Sequence, residues 1–213
     1  MLKLVIFDLD GVLVDACEWH RIALNEALME CCGYSISMED HNNIFNGIPT
    51  KVKLKKLVEM GAISQEKCEQ VYASKQQKTI DTIIKCAIQR EEKIELINWL
   101  KQKNINVACF TNSIRETATL MLEKTGIYDL FEMIVTNEDV DKPKPNPEGY
   151  EKVLKHFNYY PKDAIIVEDS LKGITAALAA KCKVLQVKNA DEVNIKNMER
   201  FINENFDTNG GRR

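Results

Sequence analysis

Val5–Asp15 reads VIFDLDGVLVD, an apolar run that delivers three carboxylates within eight residues. Leu4–Phe7 is apolar at every position, the pattern of a strand covered on both faces, as in a parallel sheet. Asp8 and Asp10 flank Leu9, so in extended geometry their side chains share one face. Gly11 then offers a turn away from the sheet. So much negative charge at the end of a buried strand repels itself unless a cation neutralises it.

Outward from this strand the pattern changes. From Ala16 to Arg90 the apolar spacing is helical: CEWHRIALNEALMECC stops at Gly33, a second helix runs from Thr50 to Met60 before Gly61, and a third runs from Ser64 to Ile84. Then helix and strand alternate: helix Glu91–Lys103, strand NVACFT, helix Ser113–Lys124, strand FEMIVT, the Pro-rich turn DKPKPNP, helix Glu148–Phe157, strand AIIVED, helix Leu171–Ala180 and strand KVLQV. This predicts an α/β fold, a Rossmann-like core with a parallel sheet and an inserted all-helical cap domain. The core takes residues 1–14 and 82–213, and the cap residues 15–81. Ligands of such sheets bind at the carboxyl ends of the strands, where the cap emerges. The polar tail Asn203–Arg213 is expected to fray.

Composition narrows the function classes. Of 213 residues 45% are hydrophobic and 29% charged, the balance of a soluble globular protein, and no apolar run approaches the ~20 residues of a membrane span. The start lacks the pattern of a secretory signal, so a cytoplasmic location is expected. Seven scattered cysteines without a C-x-x-C pair read as reduced thiols rather than a disulfide framework or a zinc site. A net charge of −3 gives no basic field for nucleic acid. Trp19 and Trp99 read as core or hinge packing, and His41 and His156 as surface or helix residues.

Polar groups sit at four strand ends or the loops that follow: Asp8 and Asp10; Thr111 with Asn112 and Ser113; Lys142; and Glu168 with Asp169. On a doubly wound sheet these converge on one crevice. A few carboxylates with no histidine or cysteine in the motif suit Mg²⁺ shared with a phosphate. Thr111–Ser113, opening a helix, would present N–H groups and hydroxyls as a small anion cradle. Pro143, Pro145 and Pro147 stiffen the loop that carries Lys142.

These residues resemble the haloacid dehalogenase superfamily, in the helical-cap branch of β-phosphoglucomutase-like enzymes and phosphatases. The resemblance rests on FDLDG (Phe7–Gly11), FTNS with Thr111, DKPKPNP with Lys142, and VEDSLKG (Val167–Gly173), and spans Leu2 to Val187. It implies Asp8 as a nucleophile forming an aspartyl-phosphate and Asp10 as general acid, then base. Thr111 would contact the phosphoryl group and Lys142 offset charge. Asp8, Asp10 through its carbonyl, Asp169 and Glu168 would hold Mg²⁺. His20 and Lys75 fall where the mutase has a histidine governing the general acid and a cap lysine. Ala16 replaces the mutase's threonine, and Thr50 replaces the cap arginine that grips a distal phosphate, leaving Lys51 beside it. Arg115 would add a phosphate or carboxylate contact. Asn146 replaces an aspartate of the lysine loop.

The implied function is a Mg²⁺-dependent phosphatase acting on a small phosphorylated metabolite, as a monomer or small homo-oligomer. A phosphomutase and a non-catalytic binding module are the alternatives.

Overall fold

β1 (Leu4–Phe7) has no exposed residue because strands flank it on both sides and helices cover both its faces. The computed structural model describes residues 1–206. With β2 (Asn106–Phe110), β3 (Met133–Val135), β4 (Ala164–Glu168) and β5 (Lys183–Gln186) it forms a fully parallel sheet in the order β3-β2-β1-β4-β5. The order reverses at β1, so the ends of β1, β2 and β4 meet at the switch point where such sheets bind ligands.

Between β1 and β2 lie α1 (Cys17–Cys32), α2 (Met38–Asp40) running into a π-helical turn at His41–Phe45, α3 (Thr50–Glu59), α4 (Cys68–Cys86) and α5 (Glu91–Gln102). The other connections are α6 (Arg115–Lys124), α7 (Glu148–Phe157) and α8 (Leu171–Ala179), and α9 (Ile195–Asn205) follows β5. No described helix is long and apolar enough to cross a membrane.

Alternation along the strands feeds two cores. Val5, Phe7, Val107, Cys109, Ile165 and Val167 face α5 and α6 through Leu96, Leu100 and Met121. Leu4, Ile6, Ala108, Phe110 and Ile166 face α7 and α8 through Tyr150, Val153 and Ala176. Truncating a fully buried Phe7 or Phe110 to alanine costs about 3–5 kcal/mol at such positions. The helical insert has a third core of its own, from Leu24 and Leu28 of α1, Phe45, Leu54 and Leu57 of α3, and Val71 of α4. Trp19 and Trp99 pack against the first sheet core, as expected.

Three local features differ from the sequence reading. The helix expected from Ser113 begins at Arg115, because the Ser113 hydroxyl donates to Asp10 rather than capping the helix. Helix α9 was not anticipated; Asn194 caps it by accepting from the Asn197 N–H, and Met198 anchors it in the core. Asn203–Asn205 form its last turn rather than a frayed tail, and residues 207–213 of that tail lie outside the described residues.

Candidate active site

The aspartates of the opening stretch are divided by Gly11. Asp8 continues β1 by donating its N–H to the Val167 carbonyl at 3.0 Å. The chain then folds back on itself, with the Leu9 carbonyl accepting from Leu13 and Val14. Gly11 has φ +88°, and a Cβ there would stand 2.3 Å from Asp169 Oδ2. Only glycine lets this turn pass so close to the carboxylate.

Lys144 organises one side of the site. Its ammonium reaches Asp8 Oδ1 at 2.6 Å, Glu168 Oε1 at 2.5 Å and the Phe110 carbonyl at 2.9 Å, so each of its three hydrogens has an acceptor. Its charge also lies over the Phe110 and Tyr150 rings, 4.8 and 5.2 Å from their centroids. Burial works against the ammonium, yet Asp8 and Glu168 together hold its pKa well above the usual lysine range. Glu168, fully buried, also accepts from the Tyr150 hydroxyl at 2.8 Å and from Ser170. Burial pushes the Asp8 carboxyl up, and Lys144 offsets only part of that because Glu168, Asp169 and Asp10 add to it. The lysine expected here was Lys142. It is exposed, and its N–H is taken with that of Asp141 by the Glu148 carboxylate, which pins the loop's first half outside. Asn112 Oδ1 then accepts the Lys144 N–H at 3.0 Å and sets that side chain inward.

Asp10 belongs to a second network. Its Oδ1 meets His20 Nε2 at 2.8 Å, and its Oδ2 accepts from Ser113 at 2.8 Å and Thr111 at 3.3 Å. Lys75 Nζ lies 3.2 Å from His20 Nδ1. An ammonium only donates, so Nδ1 accepts and Nε2–H donates to Asp10, which assigns the tautomer. Burial alone would raise the Asp10 pKa, but His20, Ser113 and Lys75 outweigh it and bring it to about 2. His20, Lys75 and Ser113 are therefore assembled with Asp10 as a unit.

The other expected contacts fall differently. Asn112 gives its amide to the Gly47 and Lys144 carbonyls, at 3.0 and 3.2 Å, and ties the insert to the lysine loop. Arg115 is exposed and paired with Asp139, outside the cavity. Of the N–H groups at this strand end, Thr111 Oγ1 takes that of Ser113 at 2.9 Å and Glu138 takes that of Arg115 at 2.6 Å, while that of Asn112 has no hydrogen-bond partner among the described residues. Lys51 does line the cavity, over the Tyr72 ring. His41, read from the sequence as a surface or helix residue, is buried against the cavity. Lys53 on α3, unremarked in the sequence, lines it too.

Asp8, Glu168 and Asp169 each place a carboxylate oxygen within 4.8 Å of the others. Asp169 Oδ1 is buried without a hydrogen-bond partner. Burial first, and then Glu168 and Asp10, push the Asp169 carboxyl up to about 7. Excess negative charge, an orphaned buried oxygen and an all-oxygen donor set fit a hard divalent cation. The networks converge on a cavity of about 350 Å³ between the sheet end and the helical insert.

A carboxylate fixed by a lysine, facing a second carboxylate tethered by a histidine, is equipment for phosphoester chemistry. The chain belongs to the haloacid dehalogenase-like hydrolase family, whose model matches residues 5–187. Validoxylamine A 7'-phosphate phosphatase of Streptomyces hygroscopicus subsp. limoneus is 28% identical over 183 residues, which cover 84% of this chain and 83% of the relative. Pyrophosphatase PpaX of Bacillus velezensis is also 28% identical, over 86% of this chain and 82% of its own length. Among solved structures, β-phosphoglucomutase from Clostridium difficile has a TM-score of 0.82 at 24% identity, covering 96% of this chain and 98% of that one. This structural likeness shows the fold. The chain is a phosphoester hydrolase of this family.

Proposed function

We propose that the protein is a Mg²⁺-dependent phosphatase that hydrolyses a small phosphomonoester, a sugar phosphate or similar metabolite, through an aspartyl-phosphate on Asp8. The supporting observation is the division of labour between the two aspartates: Lys144 fixes Asp8 while His20, Ser113 and Thr111 fix Asp10. Lys144 occupies Asp8 Oδ1, and Oδ2 has no hydrogen-bond partner among the described residues. Oδ2 attacks phosphorus, and the ester oxygen leaves with a proton from Asp10. Asp10 then takes a proton from water, whose oxygen attacks phosphorus and releases phosphate from Asp8. The His20 bond keeps the resting Asp10 ionised; an arriving phosphate dianion raises its proton affinity, and Asp10 takes up from solvent the proton that it gives to the ester oxygen.

Asp8 and Asp169 would hold Mg²⁺, with the Asp10 carbonyl; bound there it would neutralise phosphoryl charge. Glu168 lies in the same cluster but has both oxygens bonded to Lys144, Tyr150 and Ser170, and serves to hold the lysine. Residues 15–81 would act as a cap that closes the cavity to water. Seven free thiols support a cytoplasmic location.

A phosphomutase is the second reading, favoured by the Lys75–His20–Asp10 chain. Thr50 in place of a phosphate-gripping arginine disfavours it. The test is phosphate release from p-nitrophenyl phosphate and a phosphometabolite panel with Mg²⁺, by the wild type and Asp8→Asn. Release by the wild type alone supports the reading; release by neither, or equally by both, removes it. Conversion of β-glucose 1-phosphate plus trace bisphosphate to glucose 6-phosphate would establish the mutase instead.

A further inference from the structure

The chain has three histidines, each in a different setting. His156 is exposed. His20 has both ring nitrogens engaged, by Asp10 and Lys75. His41 is only 6% exposed, yet among the described residues its ring makes no hydrogen bond and no ion pair. A buried polar group without a partner is destabilising, and at a position that served packing alone an apolar side chain would avoid the loss.

His41 lines the cavity from the insert. It opens the π-helical turn His41–Phe45, a form of helix common at functional sites. Its backbone is held on both sides: the N–H donates to the Ser37 carbonyl at 2.9 Å, and the carbonyl accepts from the Asn46 N–H at 2.8 Å. Nδ1 is closed off, whereas Nε2, equally without a partner, is not. A molecule in the cavity therefore meets the ring at Nε2. The charged groups acting on the ring are Lys53, Arg21 and Glu18, and Glu18 is taken by Arg21 at 2.7 Å. Burial, then Lys53 and Arg21, lower the imidazole pKa to about 4, so the ring is neutral and offers an acidic group no ion pair. Among the described residues no partner fixes its tautomer, in contrast to His20. A hydroxyl both donates and accepts, so it can meet Nε2 in either tautomer.

We propose that His41 is a specificity-determining residue of the cavity, its Nε2 exchanging a hydrogen bond with a hydroxyl group on the part of the substrate that does not react. This rests on the phosphatase reading for the reacting phosphate, and adds which residue of the insert reads the rest of the molecule. One hydrogen bond between neutral groups corresponds to roughly a threefold to tenfold preference for a hydroxylated phosphate.

The test uses two matched pairs of probes: glycerol 3-phosphate with propyl phosphate, and glucose 6-phosphate with hexyl phosphate. Each is titrated by calorimetry with Mg²⁺ into the Asp8→Asn protein, and into the same protein carrying His41→Leu or His41→Gln, whose amide replaces Nε2. Weakening of a hydroxylated probe by roughly threefold or more in His41→Leu, with its alkyl counterpart unchanged and the loss recovered in His41→Gln, supports the role. Equal changes within both pairs, or no change in either, overturn it and leave the phosphatase reading standing, because binding does not require turnover. An Asp8→Asn protein that binds none of the four probes removes both. A circular-dichroism melt of each variant shows whether it is folded.

Discussion

Lys144 holds Asp8 by an ion pair 2.6 Å long that water barely reaches, the lysine being 3% exposed and the aspartate 7%. Glu168, on the other side of the ammonium, is fully buried. Replacing Lys144 with methionine leaves two carboxylates buried without their cation. The expected loss is about 3–5 kcal/mol of stability, measured by denaturant unfolding without added metal. Lys142→Met, at an exposed position of the same loop, is expected to stay within about 0.5 kcal/mol. Equal effects of the two substitutions would refute the placement of Lys144.

The sequence carried enough to locate one carboxylate cradle but not to choose its lysine. Leu4–Phe7 announced a middle strand because burial on both faces permits no polar residue, and Asp8, Asp10, Thr111 and Asp169 followed from their strand ends. DKPKPNP offers two lysines in similar local surroundings, and the choice is made by Glu148 and Asn112, which no spacing rule connects to the loop. Lys53 did leave a trace. It shares a helical stripe with Leu54 and Leu57, where a lysine is out of keeping with its neighbours, as is Lys93 with Leu96, Ile97 and Leu100. Helix α9 also left one, in an asparagine cap followed by Ile195, Met198 and Ile202 at helical spacing.

Gly173 touches the same frame from α8. A Cβ at this position would lie 1.8 Å from Glu168 Oε1, and the carboxylate cannot retreat because Lys144, Tyr150 and Ser170 all hold it. Gly173→Ala is expected to cost about 1–3 kcal/mol, a fall in Tm of roughly 2–12 °C in a calorimetric scan. An unchanged Tm would mean that Glu168 is free to move.

His41 gives a prediction about acid. Burial, and then Lys53 and Arg21, lower its pKa from 6.5 to about 4. Between those values the unfolded chain binds a proton that the native chain does not, so stability rises with pH there and is lost on acidification. His41→Leu should flatten the dependence of unfolding free energy on pH between 6.5 and 4, the window set by that shift. His20, whose pKa burial and Lys75 also lower, leaves part of the slope in place. A slope identical to that of the wild type would show that His41 does not titrate in this way.

The orphaned Asp169 Oδ1 bears on metal. A cation that binds only the native state stabilises it by about 2.7 kcal/mol at a hundredfold excess over Kd. Mg²⁺ should therefore raise the Tm of the wild type, chelator should reverse the rise, and Asp169→Asn should abolish most of it. An equal rise in the variant would place the ion elsewhere.

Asn112 divides its amide hydrogens between two segments far apart in the chain, one going to Gly47 on the insert and the other to Lys144 on its loop. The two bonds are independent. If the insert swings away, the first breaks, while the second and the Lys144 N–H on Asn112 Oδ1 remain. The chain could then exchange reactants through an open mouth with the Lys144 frame of Asp8 and Glu168 intact, whereas His20 and Lys75, carried by the insert, would leave Asp10 and rejoin it only when the insert returns.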